Sequence, residues 1–459
     1  MRYVNNFIKS FLMTSFGLLL GSCANGDDVI ELNQEQNTIH TVKMQFIGNV
    51  VGFDQQANST QTRATTSWAD GDKIYITFYN DNTIVPGEAT YYSSSGWVVN
   101  YDGNLVTGTD LKCEVRYFVN ATFANSSLVS LNANSEIYED VDATYTYGGS
   151  SLTVQGTLSP KTGRIRFTGT FGATIYTTGI SVYTTFSPAT NTFSSSNTML
   201  TSTVASNGST PYIYGTFSDA DRSIGLVGSD FAYTRTCTAD MLKIGESGYM
   251  AIPSESSHNN WRSGLYVKAS GVEFKMIPVA GYSEGFFMIG ETEVTNQLYD
   301  AVTSNSSTSN ADYPAAAHYY TEFSSFITKL SYQTNLTFGI PSLEQWKYAA
   351  KGGNLSQGYT YAGSNNPGDV AWYSGNASYS VHKVKQLAPN ELGIYDMSGN
   401  VAEWTSSLYS SSYHFSYFIL GGSCTGRESD ITSTSFTYSN VDHDYGDPGI
   451  GLRLILICP

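Results

Sequence analysis

A length of 459 residues is enough for two or three domains. The formal net charge of −16 argues against a nucleic-acid partner, because phosphate binding needs a basic protein face. Charged residues make up only 14% of the chain, whereas tyrosines number 34. This balance is typical of an extracellular, strand-rich protein that carries hydroxyl groups at its exposed strand positions.

The N-terminal segment has the pattern of an export signal. Two basic residues precede an apolar run at residues 11–20, which is shorter than the roughly 20 residues of a membrane-spanning helix. The sequence LGSC that ends at Cys23 resembles the lipobox of bacterial lipoproteins. The resemblance implies that residues 1–22 are a signal peptide, that Cys23 is acylated, and that residues 23–36 tether a surface-exposed protein to the outer membrane. An ordinary secretory signal with a chance cysteine is the alternative.

Residues 37–271 have the alternation of β-strands. VKMQF at 42–46 and IYITF at 74–78 place apolar residues at every second position, as half-buried strands require. Turn residues separate such runs, for example Gly148-Gly149. The pattern predicts an all-β sandwich region.

One motif in this region is more specific. TRATTSWADGDKI at residues 62–74 resembles the start of fimbrillin-like domains, found in type V pilins and related surface lipoproteins. The resemblance implies that the first strand precedes Arg63, and that in polymerising members proteolysis at this arginine lets a neighbouring pilin subunit supply the missing strand. The alternative is that Arg63 is a solvated turn residue in a protein that does not polymerise.

Residues 272–459 show helical periodicity. Phe323, Phe326, Ile327 and Leu330 have the spacing of one buried helix face. Ser342 and Gln345 form a capping box at the start of a second helix. Both helices lie among strand and loop segments, which predicts an α+β domain.

Five motifs in this half occur in a recognisable order. They are GFFMIGETEVTN at 285–296, IPSLEQWKYAAKGG at 340–353, APNELGIYDMSGNVAEWT at 388–405, GGS at 421–423 and GLR at 451–453. Together they resemble the formylglycine-generating enzyme or sulfatase-modifying factor family. The resemblance implies a C-type-lectin-like fold for residues 272–459.

The catalytic chemistry of that family is not expected here. Its active members bind copper(I) through two cysteines placed three and eight residues after the Gly-Gly-Ser, and these positions are Gly426 and Ile431 in this chain. The histidines show no metal-binding spacing. We therefore expect no copper and no enzyme activity, with a divergent oxidase as the rival hypothesis. Pairing among Cys113, Cys237, Cys424 and Cys458 stays open.

A calcium site of the same family has matching residues. The resemblance implies that the side chains of Asp396 and Glu403 and the backbone carbonyls of Gly399 and Val401 hold the ion. Carboxylates and carbonyls are the ligands that this hard cation takes. A hydrogen-bonded turn without metal is the alternative.

The segment after Trp404 has the composition of a binding surface. Tyrosine with serine, asparagine and an occasional arginine provides rigid amphipathic contacts beside adaptable hydrogen bonds. C-type-lectin-like domains bind ligands on this face, and variable proteins of diversity-generating retroelements are mutated there. We expect exposed side chains of residues 405–447 to bind a host or bacterial surface protein or a glycan, as an adhesin or pilus tip component. The candidate residues are Tyr409, Tyr413, His414, Tyr417, Arg427, Glu428, Asp430, Tyr438, Asn440, Asp442, His443 and Tyr445. Two alternatives remain: exposed loops without binding, and a structural pilus-associated protein.

Overall fold

The computed structural model describes residues 39–53, 68–81, 83–125, 128–169, 174–203, 208–228, 230–251, 261–305, 310–411, 414–440 and 449–458. The described residues all belong to one compact unit, which begins at Ile39.

The N-terminal part is built from strands, as predicted. They are β1 (Ile39–Val50), β2 (Lys73–Asn80), β3 (Thr83–Tyr92), β4 (Gly96–Asp102), β5 (Gly108–Val119), β6 (Thr122–Asn125), β7 (Leu128–Ser130), β8 (Glu136–Asp140), β9 (Thr144–Tyr147), β10 (Leu152–Pro160), β11 (Gly163–Thr168), β12 (Thr174–Thr178), β13 (Ile180–Ser187), β14 (Thr192–Ser196), β15 (Leu200–Thr203), β16 (Ile213–Phe217), β17 (Ser223–Val227), β18 (Ala232–Thr236), β19 (Ser247–Ala251) and β20 (Arg262–Ser263). One 3₁₀ turn, Ala239–Leu242, precedes β19.

The first sheet closes on itself. Its order is β1-β4-β3-β2-β5-β8-β10-β9, and β1 also pairs with β10 in parallel. Ile74, Ile76 and Phe78 of β2 are buried in its core. Tyr75 and Thr77 on the opposite face are buried as well, so this strand is covered on both faces and is not half-buried as predicted. Trp68 packs edge-on against Trp97 at 4.9 Å between ring centroids.

Two further sheets pack on each other as a β-sandwich, called the second sandwich below. One has the order β19-β11-β16-β13-β7-β6 and the other β15-β12-β17-β18-β20. Ile165, Phe167, Ile175 and Leu226 are buried in the core between them. This core is separate from that of the first sheet.

Asn191, in the turn between β13 and β14, links the second sandwich to the first sheet. Its side-chain nitrogen donates to the hydroxyl of Tyr79 at 3.2 Å and to the Glu114 carboxylate at 2.9 Å. Its oxygen accepts from Thr77 at 3.1 Å and from the Arg116 guanidinium. One residue in the left-handed backbone region (φ 55°) thus satisfies four polar groups on β2 and β5.

The C-terminal part mixes helices and strands, also as predicted. The elements are β21 (Leu265–Ala269), β22 (Val272–Val279), β23 (Phe287–Gly290), α1 (Asn296–Thr303), α2 (Tyr320–Thr334), β24 (Phe338–Gly339), α3 (Leu343–Ala350), α4 (Pro367–Val370), β25 (Ala402–Ser411), β26 (His414–Leu420), β27 (Phe436–Asn440), β28 (Ile450–Gly451) and β29 (Ile455–Ile457). Short 3₁₀ turns occupy Gly353–Leu355 and Glu428–Asp430.

Two sheets position the candidate sites. They have the orders β21-β22-β23-β29-β24 and β27-β26-β25-β28. Helix α2 buries Phe323, Phe326 and Leu330 against the first of them, which confirms the predicted helix face. The C-terminal sheet begins at Leu265, ahead of the expected boundary between residues 271 and 272, because Gly271 is the turn of the β21–β22 hairpin and not a linker.

Candidate functional site

The Gly421-Gly422-Ser423 turn follows β26 and precedes the positions of the two expected cysteines. Gly421 and Gly422 have φ values of 86° and 65°, a region that favours glycine. A Cβ on Gly422 would lie 2.6 Å from the carbonyl oxygen of Asp430. These glycines therefore allow the chain to fold back tightly on itself.

The two cysteine positions hold residues without a reactive group. Ile431 is fully buried and packs with Tyr361, Val370 and Ala371 in a small apolar cluster. The carbonyl of Gly426 accepts a hydrogen bond of 3.0 Å from the backbone nitrogen of Ser374. Ile431 therefore contributes to apolar packing, and Gly426 contributes a backbone hydrogen bond.

A buried charge cluster lies beneath the turn that was predicted to bind calcium. Arg453 and Glu403 are both fully buried, and the guanidinium donates to both carboxylate oxygens, with a shortest distance of 2.7 Å. Arg453 also donates to the carbonyls of Gly290 and Tyr395. The indole nitrogen of Trp346 donates to Glu403 as well. The pair is thus held by neighbours on several elements.

Two more carboxyl groups belong to this cluster. One oxygen of Glu293 accepts from Asn400 at 3.1 Å, whereas the other is buried without a hydrogen-bond partner among the described residues. Burial, and then the nearby Asp396 carboxylate, raise the pKa of Glu293 well above its usual range. Burial likewise raises the pKa of Asp396, although the backbone nitrogen of Lys385 donates to it at 2.6 Å.

The carboxyl groups of this cluster are oxygen ligands of the kind that calcium takes, but both oxygens of Glu403 already accept hydrogen bonds from Arg453. Glu293, Asp396 and Glu403 all lie near Arg453, and ionisation of all three carboxyl groups would exceed the one positive charge of this arginine. Within the described ranges, no three His, Cys, Asp or Glu side chains converge closely enough to hold a metal by themselves. A bound ion would therefore also need backbone carbonyls, such as those of Gly399 and Val401.

The surface after Trp404 is built on the antiparallel strands β25, β26 and β27. Tyr417 on β26 is half-buried, and its ring stacks on that of Tyr320 with 4.0 Å between centroids and an interplanar angle of 10°. Tyr320 in turn packs edge-on against buried Trp404. The expectation that Tyr417 is an exposed anchor was wrong, because this aromatic stack covers one face of its ring.

The exposed groups nearby are partly different from those predicted. Leu408 pairs with Tyr417 in the strand register and is 54% exposed, and Tyr319 at the start of α2 is 41% exposed. Sequence reasoning missed both residues, since one is aliphatic and the other lies far away in the chain. Arg427, Glu428 and Asp430 are exposed as expected, in and beside the 3₁₀ turn.

The remaining predicted site residues divide into two groups. Tyr409 lies on β25, His414 on β26, and Tyr438 and Asn440 on β27, where Tyr438 pairs with Phe418. The predictions that fall outside the described residues are the signal peptide and tether, Cys23, Arg63, Tyr413, Asp442, His443 and Tyr445.

The four cysteines that the structure describes are buried or half-buried. Cys113, Cys237 and Cys458 form no disulfide in the described part of the chain, and Cys424 is buried. Burial raises the pKa of the Cys458 thiol to about 12. In the same part of the chain, no helix combines the length and the apolar character needed to cross a membrane.

Residues 262–457 match the model of the sulfatase-modifying factor enzyme 1-like domain family. This part of the chain is therefore a domain of that family, which confirms the predicted C-type-lectin-like α+β architecture.

Two curated relatives match short stretches. One stretch of 84 residues is 45% identical to a protein named chaperone protein LppX from Paenibacillus barcinonensis and covers 15% of this chain and 30% of that protein. Another of 80 residues is 32% identical to inactive C-alpha-formylglycine-generating enzyme 2 from Bos taurus and covers 15% and 27%. The chain thus spans less than a third of the length of either relative.

Two solved structures resemble different extents of the chain. Treponema denticola variable protein 1 is 22% identical with a TM-score of 0.37, over 42% of this chain and 98% of that chain. A fimbrial protein from Bacteroides ovatus is 11% identical with a TM-score of 0.23, over 90% and 99% respectively.

Proposed function

We propose that this chain is a cell-surface protein whose C-terminal domain binds a ligand without catalysis. The observation that carries the proposal is the full burial of Ile431 at a position where the oxidases need a thiolate. Gly426, at the other position, has no side chain. The name of the bovine relative, which includes the word inactive, supports the same conclusion.

The ligand surface would be that of residues 405–447. The exposed charges of Arg427, Glu428 and Asp430 lie in the loop that connects β26 to β27, the strands on which some of the predicted tyrosines stand. Exposed Leu408, which pairs with Tyr417 in the strand register, and Tyr319, which precedes Tyr320 in the chain, add apolar area. Aromatic and arginine side chains dominate binding energies at protein interfaces, so a surface of this composition favours a host or bacterial surface protein or glycan as ligand.

A binding experiment with matched variants tests this surface. Purified protein lacking the signal peptide is measured for binding to host and bacterial cells. We expect Arg427→Ala with Tyr438→Ala to weaken binding at least tenfold at an unchanged melting temperature. Tyr379→Ala is the control, since Tyr379 is 70% exposed outside this segment. Equal binding by both variants would favour the structural pilus-associated alternative.

The rival oxidase makes a different prediction. It requires bound copper or iron in the purified protein and the oxidation of a cysteine-containing peptide. We expect neither metal above trace amounts and no peptide oxidation. Stoichiometric copper together with peptide turnover would replace the binding proposal by the enzymatic one.

Calcium is the cation we propose for the cluster of Asp396 and Glu403. The support is that three buried carboxyl groups, those of Glu293, Asp396 and Glu403, lie near one arginine. When bound, the ion would neutralise charge and fix the turn that leads into β25. It would have no role in a reaction.

Anchoring and assembly form the last part of the proposal. Acylation at Cys23 would hold the protein at the outer membrane, and cleavage at Arg63 would release the first strand for exchange with other pilin subunits. Labelled palmitate should enter the wild type and not Cys23→Ala, and cells should shorten the wild type and not Arg63→Ala. If the protein at the cell surface is not shortened, it is a lipidated adhesin that does not polymerise.

A further inference from the structure

The joint between the second sandwich and the C-terminal domain, at residues 262–266, contains almost no linker. Strand β20 pairs with β18 in the sandwich, and only Gly264 separates it from β21 of the C-terminal sheet. The buried Thr234 hydroxyl donates to the Gly264 carbonyl at 3.0 Å and accepts from the Tyr266 nitrogen at 2.9 Å. Val227 and Ala232 share one continuous core with Leu265. The two parts are therefore fixed relative to each other.

An open cleft of about 810 Å³ lies on one side of this joint. Its walls come from both parts, with Thr178, Ser223 and Thr236 on one side and Lys268 and Gln333 on the other. Clefts of about 300–1,000 Å³ at domain interfaces are where ligands commonly bind. Because the joint is fixed, this cleft is formed before any ligand arrives, which lowers the entropic cost of binding.

The charges of the lining are nearly balanced and paired. Arg262 forms two hydrogen bonds of 2.7 Å with Glu273, and Lys268 forms an ion pair with Asp221 from the opposite wall. The exposed carboxylate of Asp219 is an acceptor beside them. A strongly charged ligand would have to break these pairs, so the lining favours a neutral one.

The polar groups of the lining match a ligand that both donates and accepts. Threonine and serine hydroxyls do both, carboxylates only accept, and arginine only donates. The Arg262 guanidinium covers the Tyr266 ring at 3.9 Å, so hydrogen bonds and not an open aromatic face would supply the recognition. We propose that this interdomain cleft is a second binding site, for a neutral oligosaccharide, separate from the surface of residues 405–447.

Saturation-transfer NMR with neutral trisaccharides of glucose, mannose, galactose and N-acetylglucosamine tests the proposal. At least one trisaccharide should bind the wild type in the millimolar range or tighter. Thr236→Trp places a large side chain at an exposed strand position in the cleft and should weaken that binding at least tenfold. Thr174→Trp is the matched control at an exposed position of β12, outside the cleft.

A second variant tests the cleft without adding a large side chain that could disturb folding. Asp219→Ala removes one acceptor from an exposed position and should weaken binding at least threefold at an unchanged melting temperature. Arg427→Ala, in the other proposed surface, should leave trisaccharide binding intact. The proposal is overturned if no trisaccharide binds, if binding survives Thr236→Trp, or if only an uncharged peptide, such as trialanine acetylated at its N-terminus and amidated at its C-terminus, binds in the cleft.

Discussion

Arg453 and Glu403 form an ion pair from which water is entirely excluded, with 2.7 Å between the nearest nitrogen and oxygen. Arg453 comes from the last motif of the chain and Glu403 from the start of β25, so the pair ties two distant segments together beneath the predicted calcium turn. Removing one partner of such a pair leaves an uncompensated buried charge, which costs far more than the pair contributes when intact.

The first prediction concerns this pair. Glu403→Gln or Arg453→Met should each destabilise the protein by about 3–5 kcal/mol, because the remaining charge stays buried. The double variant should lose less than the sum of the two, because the two side chains contact each other directly and each single change already breaks that contact. Urea unfolding in EDTA measures these losses without interference from calcium. Additive losses would mean that the two residues act independently.

An exposed pair provides the control for that experiment. Lys243 and Glu246 form an ion pair of 2.8 Å at the surface, where solvent screens the attraction. Lys243→Ala should leave the unfolding midpoint where it is in the wild type.

The second prediction concerns the Asn191 contact between the first sheet and the second sandwich. Asn191→Gly keeps the left-handed backbone accessible but removes every side-chain hydrogen bond, so we expect a loss of about 2 kcal/mol. Asn191→Asp keeps an acceptor for Arg116 and loses the donors to Tyr79 and Glu114, so repulsion from Glu114 should prevent rescue. Chemical denaturation measures both. Wild-type stability in Asn191→Gly would rule out a structural role for these bonds.

The third prediction follows from the stacking of Tyr417 on Tyr320. Tyr417→Ala should lower stability by about 2 kcal/mol through lost aromatic area and contact. Tyr417→Phe should keep the stack and most of the stability. Thermal unfolding distinguishes this role from that of an exposed binding anchor, for which Tyr417→Ala would leave the melting temperature unchanged.

The parts of the fold that follow from local pattern could be predicted from the sequence. The alternation of exposed and buried residues at 42–45 in β1 and the helix face with Phe323 depend only on neighbours along the chain, and both are confirmed. Residues 74–78 are buried throughout, because a second layer covers the other face of β2. The capping box at Ser342 is also present, with the Ser342 hydroxyl accepting from the Gln345 nitrogen.

The pairing of distant segments could not be predicted in this way. No periodicity indicates that Tyr320 covers Tyr417, or that β20 belongs to the sandwich while β21 belongs to the next sheet. Glu293 lies in one of the five motifs, but its role could not be predicted, because its proximity to Asp396 and Asn400 depends on how separate loops fold together. Burial and charge balance are properties of the folded chain, so they become visible only in three dimensions.

The fourth prediction concerns calcium. If the ion binds the Asp396 cluster, adding it at a hundred times its dissociation constant should stabilise the folded protein by about 2.7 kcal/mol, and EDTA should reverse the effect. Asp396→Asn should weaken calcium binding at least tenfold, since it removes a charged ligand, whereas Asp240→Asn, at an exposed position outside the cluster, should not change it. Calorimetric titration of calcium into EDTA-treated, dialysed protein provides the binding constants. A flat titration, with equal melting temperatures in calcium and EDTA, would mean that the buried carboxyl groups are neutralised by protons and Arg453 alone, which agrees with the raised pKa values of Glu293 and Asp396.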